Sequence, residues 1–170
     1  MCGAAWPQES LQPVTFRPYA PARIDIRVSE FSGQPVPRYA SLRYDEVNGR
    51  HGPGEEYPVD WTYRRRGLPV VVVRESREWW KVRDPSGDEV WVNVRMLAGE
   101  RTVIAQEAGA MMRRADPEAP ETATFEAGAV MALRNCEDGW CRVEAAGREG
   151  YVLQRLLWGA ADLPSAGANR

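Results

Sequence analysis

The stretch Trp79-Trp80-Lys81-Val82-Arg83-Asp84-Pro85-Ser86-Gly87-Asp88-Glu89-Val90-Trp91-Val92 decides the fold. Trp80-Lys81-Val82-Arg83 alternates apolar and charged residues, the period of a half-buried strand. Asp84-Pro85-Ser86-Gly87-Asp88 is turn chemistry throughout, and Val90-Trp91-Val92 pairs back across it as a β-hairpin. The pattern then returns. Gly67 and Gly128 are 61 residues apart, as are Trp79 and Trp140, and Lys81-Val82 meets Arg142-Val143 at the same offset. Past the hairpin turn the offset falls to 60, where Val90-Trp91-Val92 meets Gly150-Tyr151-Val152 and Met96-Leu97 meets Leu156-Leu157. One residue fewer in the second turn, Ala145-Ala146-Gly147, accounts for the change. A period this long fits one complete small domain per copy.

Around the hairpin the first copy reads as a series of short strands. Tyr39–Val47 is one apolar-containing run, and Asn48-Gly49-Arg50-His51-Gly52-Pro53-Gly54 is a turn-rich loop. Trp61–Tyr63 follows, then a break at Gly67-Leu68-Pro69, then the continuous β-branched run Val70–Val73 of a buried strand. Met96-Leu97 closes the unit. No helix-length amphipathic segment interrupts the series, so the sequence predicts an all-β protein of two tandem small five-stranded barrels. The expected division is a Pro-rich extended leader or linker over 1–37, barrel one over 38–98, barrel two over 99–159, and a disordered tail over 160–170. In the leader, Ile24–Val28 alternates, and is either part of an extended segment or a strand docked on the first barrel.

Composition is that of a globular chain, with 44% hydrophobic and 27% charged residues and a net charge of −2. That balance gives no reason to expect nucleic acid as partner. Seven Trp are many for 170 residues, and a few can anchor the core of a domain too small to be stable otherwise. No apolar run approaches the about 18–20 residues of a membrane span. The chain does not open on a charged and then apolar stretch, so no export signal is read in it.

Several of these motifs resemble the bacterial SH3 (SH3b) domain family. Val47-Asn48-Gly49-Arg50-His51-Gly52-Pro53-Gly54 is similar to the family's loop of Asn, Arg and Gly-Pro-Gly. Trp79-Trp80-Lys81-Val82 is similar to its Trp-x-Lys-Val strand, and Gly87 through Trp91-Val92 to its closing hairpin. The second copy matches at Gly139-Trp140-Cys141-Arg142-Val143 and Gly150-Tyr151-Val152, but its loop, Met112-Arg113-Arg114-Ala115-Asp116-Pro117, has no Gly-Pro-Gly. The arrangement, over about 36–159, also resembles a family of tandem SH3-like proteins of unknown function from alphaproteobacteria, usually made with an export signal. The resemblance implies a five-stranded SH3-like barrel that binds peptides, often peptidoglycan stem or bridge peptides, and a place in the periplasm or cell envelope. A fold alone does not fix a ligand.

Alternation puts Trp79, Lys81 and Arg83 on one face of their strand and Trp80 and Val82 on the other. With Val82 and Val143 in the core, Trp79 and Trp140 lie outside, at the edge that forms the peptide groove in SH3-like barrels. Each Trp either stacks on a ligand, packs on its own loop, or fills the contact between barrels. Tyr44 and Tyr57 either line the same groove from the loop side or are structural. Arg64-Arg65-Arg66 reads as a solvated strand end that could also attract a carboxylate. Cys136 and Cys141 flank a turn and are expected to form a disulfide in an oxidising compartment, or otherwise to be two small core thiols. With Cys2 and one histidine they make no four-ligand zinc set.

His51 is the single histidine and sits in the Gly-Pro-Gly loop. No motif pairs it with a cysteine nucleophile, and no phosphate loop or dinucleotide fingerprint is present. The expectation is therefore a non-catalytic binding module without cofactor or metal. Its partner is a peptide or peptidoglycan fragment held in the first barrel's groove. The competing reading is a structural adaptor whose tightly packed barrels bind another protein, with the second barrel structural; the short linker Ala98-Gly99-Glu100-Arg101 favours close packing.

Overall fold

The computed structural model describes residues 16–17 and 26–163. Two short strands, β1 (Arg27–Val28) and β2 (Pro35–Val36), pair antiparallel as a small hairpin. Then come β3 (Arg38–Leu42), β4 (Val47–Arg50), β5 (Val59–Tyr63), β6 (Pro69–Glu75), β7 (Trp79–Arg83), β8 (Glu89–Asn93), a 3-10 turn at Val94–Met96 and β9 (Leu97–Ala98). Their order in the sheet is β5-β4-β8-β7-β6-β3-β9. The second set is β10 (Thr102–Ala105), β11 (Gly109–Met112), β12 (Glu121–Phe125), β13 (Val130–Glu137), β14 (Trp140–Ala145), β15 (Arg148–Leu153), a 3-10 turn at Gln154–Leu156 and β16 (Leu157–Trp158). Its order, β12-β11-β15-β14-β13-β10-β16, is the same permutation.

Five adjacent strands in each sheet are the expected small barrel. The remaining pair, β4 with β5 and β11 with β12, are the arms of a long hairpin whose tips are residues 51–58 and 113–120. The run 39–47 is therefore not one strand. It breaks at residues 43–46, where the chain turns away from β9, and Asn48–Arg50 belong to a strand rather than to the loop. Even the irregularities repeat: bulges fall between Val72 and Arg74 and between Leu133 and Asn135, and again between Gly49 and Arg50 and between Met111 and Met112. A bulge that recurs at equivalent positions is part of how each sheet curls to close.

The β7–β8 turn is tied by a single carboxylate. Oδ1 of Asp84 accepts hydrogen bonds from the backbone N–H groups of Ser86, Gly87 and Asp88 and from the Ser86 hydroxyl. Gly87 takes a positive φ of 95°, which a side chain would resist.

Inside barrel one, Val47, Val70, Val72, Val82, Val90 and Val92 are buried together with Leu42 and Leu97. Barrel two builds the same core from Val103, Met111, Met131, Val143, Val152 and Leu157. A third cluster joins the two barrels: Val71 of β6 packs with Ile104 and Trp158, and Tyr39 meets Trp158 edge-on at 6.0 Å. This explains the unbroken Val70–Val73 run, since Val70 and Val72 fill one barrel while Val71 fills the space between two. Arg101 stacks over Tyr39 at 4.3 Å, and Thr102 Oγ1 donates to Gly67 O at 2.6 Å. Arg65 donates across the same boundary to Gly128 O, while Arg64 and Arg66 are solvated.

Phe16 packs against this third cluster. Arg17 links both barrels, its N–H donating to Pro85 O and its carbonyl accepting from Trp158 Nε1. At the other end Ala160 is buried in the second core and Leu163 packs on the shared cluster, although both fall in the stretch expected as tail. Residues 1–15, 18–25 and 164–170, which hold most of the expected leader and the rest of that tail, lie outside the described residues.

Candidate functional site

The strand pairing fixes which side chains share the outer face of the first sheet. Trp79 faces Asn93, Lys81 faces Trp91, and Arg83 faces Glu89. Trp91 also pairs with Arg50 on β4, and Lys81 with Arg74 on β6, so Arg50, Trp91, Lys81 and Arg74 form a row across the sheet. Lys81 and Arg83 both hold the Glu89 carboxylate, at 2.9 and 2.7 Å. Above the row lies a cavity of about 640 Å³, bounded by Trp91 and Arg74 below, Pro53 of the long loop on one side, and Val28 and Phe31 of the β1–β2 hairpin on the other.

That hairpin is held down by one buried carboxylate. Glu75, whose side chain is 1% exposed, accepts hydrogen bonds from the hydroxyls of Ser29 and Ser32 and pairs with Arg38. The Arg38 guanidinium in turn lies over the Trp80 ring at 4.4 Å. A buried charge requires this degree of pairing to be tolerated. The first groove is thus partly covered by the chain's own residues 27–31.

The second barrel repeats the groove, and among the described residues no hairpin covers it. Tyr151 pairs with Met112 and Arg142, and Arg142 with Asn135, in a row equivalent to the first. A cavity of about 380 Å³ lies over it, lined by Arg113, Arg114, Ala115, Asn135, Glu137, Asp138, Trp140, Arg142 and Tyr151. Ala115 stands where Pro53 does, Asn135 where Arg74 does, Glu137 where Ser76 does, and Tyr151 where Trp91 does. All of the lining residues belong to barrel two.

The family whose description is Bacterial SH3 domain matches residues 43–99 and, a second time, residues 105–159. The chain belongs to the bacterial SH3 domain family. It carries two tandem copies, one in each seven-stranded sheet, and each match begins after the sheet's first strand has started: β3 precedes the first match, and all of β10 but Ala105 precedes the second. No curated protein matches this tandem SH3 protein. Among solved structures it is similar to NlpC2 from Trichomonas vaginalis (12% identity, TM-score 0.33, covering 72% of this chain and 48% of that one). It is also similar to NlpC1 from the same organism (14% identity, TM-score 0.33, 81% and 51%). The chain spans about half the length of these proteins.

Within the SH3 pair, the four groove residues expected from sequence fall in different settings. Trp79 and Tyr57 are linked through Arg50, whose guanidinium lies 5.9 Å from the Trp79 ring and donates to the carbonyls of Glu55 and Tyr57. Trp79 therefore helps to hold its own loop, and does not line the first cavity. The Tyr57 ring covers Gly52, where any side chain would collide with it. Tyr44 is exposed in the turn between β3 and β4, and none of the described contacts joins it to the other three. Trp140 does line a groove, and the residue at the Arg50 position in its barrel is Met112, which offers no guanidinium to cover it. Neither Trp79 nor Trp140 fills the contact between barrels; Tyr39 and Trp158 do.

Cys136 and Cys141 are cross-strand partners joined as a disulfide, just behind Trp140. His51 is exposed, with Nδ1 3.5 Å from Asp60. Sequence reasoning missed Trp91, Tyr151, Glu75 and Arg38. The first two were within reach, because inward Val90 and Val92, and inward Val152, force the residue between or beside them outward.

Proposed function

We propose that this tandem SH3 protein is a non-catalytic binding module of the bacterial cell envelope that holds peptides or peptidoglycan-derived fragments in an SH3-like groove. The observation that carries the reading is the recurrence of one groove, with an aromatic floor and a loop wall, at equivalent positions of both barrels. An aromatic floor flanked by a few polar groups suits an extended peptide, whose backbone lies on the ring faces. The disulfide beside Trp140 suits an oxidising compartment. Among the described residues His51 meets Asp60, and Cys136 and Cys141 are bonded to each other, so neither of these two cysteines is a free thiol.

A second reading, a scaffold for a protein partner, draws on the shared cluster of Val71, Ile104 and Trp158, which fixes the barrels as one body. Co-sedimentation with purified insoluble peptidoglycan separates the two. Saturable recovery in the pellet, reversed by soluble peptidoglycan fragments, supports the envelope reading. A folded protein that stays in the supernatant at every concentration removes it and leaves the scaffold.

A further inference from the structure

The two grooves differ in charge. At the rim formed by the long loop, barrel two has Arg113 and Arg114 where barrel one has His51 and Gly52. At the opposite rim, the β13–β14 turn, it has Glu137 and Asp138 where barrel one has Ser76 and Arg77. Between the rims lie Trp140 and Tyr151. The order of strands from β11 through β15 and β14 to β13 places the two basic residues and the two acidic ones on opposite sides of the aromatic floor. Arg142, on that floor, is already engaged by Glu149 at 2.6 Å. By contrast, among the described residues none forms an ion pair or side-chain hydrogen bond with the side chains of Arg113, Arg114, Glu137 or Asp138.

Four charged groups of two signs, sorted to two rims and left unneutralised by the fold, are chemically directed. Guanidinium forks recognise a carboxylate in a planar, two-point manner. A cation held over an indole face is attracted to it and gains further from adjacent carboxylates. We propose, on the basis of the groove reading above, that the second barrel is the open binding barrel and that its ligand is a short zwitterionic peptide. The ligand's carboxylate meets Arg113 and Arg114, and its ammonium lies over Trp140 beside Glu137 and Asp138. The first barrel, whose groove carries residues 27–31 of the chain and lacks the charge pattern, is not the site for this ligand.

The test uses the full chain and four probes: trialanine, its N-acetyl form, its C-terminal amide, and the doubly blocked peptide. The readout is the indole N–H cross-peak of Trp140 in a ¹H–¹⁵N spectrum, assigned with Trp140→Phe. Trialanine is expected to shift that peak saturably, and blocking either end to weaken binding by about tenfold or more, the scale of one charge-assisted hydrogen bond. The double variant Arg113→Gln/Arg114→Gln is expected to bind trialanine and its amide equally. Glu137→Gln/Asp138→Asn is expected to bind trialanine and its N-acetyl form equally. All four side chains are at the surface, so these variants keep the fold. Doubly blocked peptide binding as tightly as trialanine overturns the zwitterion inference and leaves the groove reading standing. Shifts at Trp79 and Trp91 in place of Trp140 overturn the choice of barrel. No shift with any of the peptides overturns both.

Discussion

Glu75 and Cys136 occupy the same position in two copies of one barrel. Each lies at or next to the end of its strand, opposite the residue that follows the repeated Trp: Glu75 faces Trp80, and Cys136 faces Cys141. The same structural need, closing the sheet beside the groove, is met by a clamped carboxylate in one barrel and a covalent bond in the other. The carboxylate brings the β1–β2 hairpin down over the first groove, whereas among the described residues the second groove is lined by barrel two alone.

Removing the clamp opens the first groove. Glu75→Ala leaves Arg38 buried beside Trp80 without its anion and releases Ser29 and Ser32. Breaking a buried pair from one side costs about 3 kcal/mol or more. Urea unfolding is expected to show a loss of that size. Hydrogen exchange is expected to show faster exchange at Ser29 and Gly33, whose N–H groups close the hairpin, ahead of the barrel core. Protection there equal to the wild type contradicts the clamp.

The disulfide closes a short loop, so its contribution through the unfolded chain is small, about 2 kcal/mol for six residues. Reduction is expected to lower the denaturation midpoint by that amount while both barrels keep their circular dichroism. Complete unfolding on reduction would mean that the second core, in which Cys141 is fully buried, depends on the bond.

The two cores exchange a large and a small residue at one spot. In barrel one Gly49 lies against Val90, and a Cβ at Gly49 would sit 2.6 Å from Val90 Cγ2. In barrel two the equivalent pair is Met111 and Gly150, and a Cβ at Gly150 would sit 2.3 Å from Met111 Cγ. Gly49→Ala is expected to cost about 1–3 kcal/mol by overpacking. Val90→Ala in the same chain is expected to relieve part of that cost. A double-mutant cycle that shows the two changes to be additive removes the proposed complementarity.

Stability is expected to fall above about pH 10. Tyr63 is buried and its hydroxyl donates to Asp84 Oδ2 at 3.1 Å. Burial first, and the Asp84 carboxylate second, push this phenol far above its ordinary value of 10.0. In the unfolded chain the phenol ionises near that ordinary value, while in the folded protein it keeps its proton. Its contribution is complete below pH 10 and is lost above it, at up to about 1.4 kcal/mol per pH unit. Urea midpoints between pH 9 and about pH 11.5 are expected to fall less steeply for Tyr63→Phe than for the wild type. Equal slopes contradict the assignment.

Much of this fold is legible because its signals are local. A hairpin such as 79–92 is written in alternation and turn residues, and an offset of 61 before the turn and 60 after it repeats it without any reference to packing. Groove occupancy is not local. Whether Trp79 is free depends on Arg50, nearly thirty residues earlier, and whether the first groove is open depends on Ser29 and Ser32 reaching Glu75. A buried glutamate reads in sequence as one more surface charge. The same limit hid the barrel-barrel contact, where Val71 looks like its neighbours but faces a different core. The second copy's loop has no Gly-Pro-Gly and so departs from the family pattern, yet it supplies the two arginines that line the second groove.

The most direct test of the account is a tryptophan-fluorescence titration with soluble peptidoglycan fragments on three proteins: wild type, Trp79→Ala and Trp140→Ala. The open groove of the second barrel requires saturable binding by wild type and Trp79→Ala, and its loss in a folded Trp140→Ala. Binding that survives in Trp140→Ala and disappears in Trp79→Ala would contradict it, and would return the site to the first barrel.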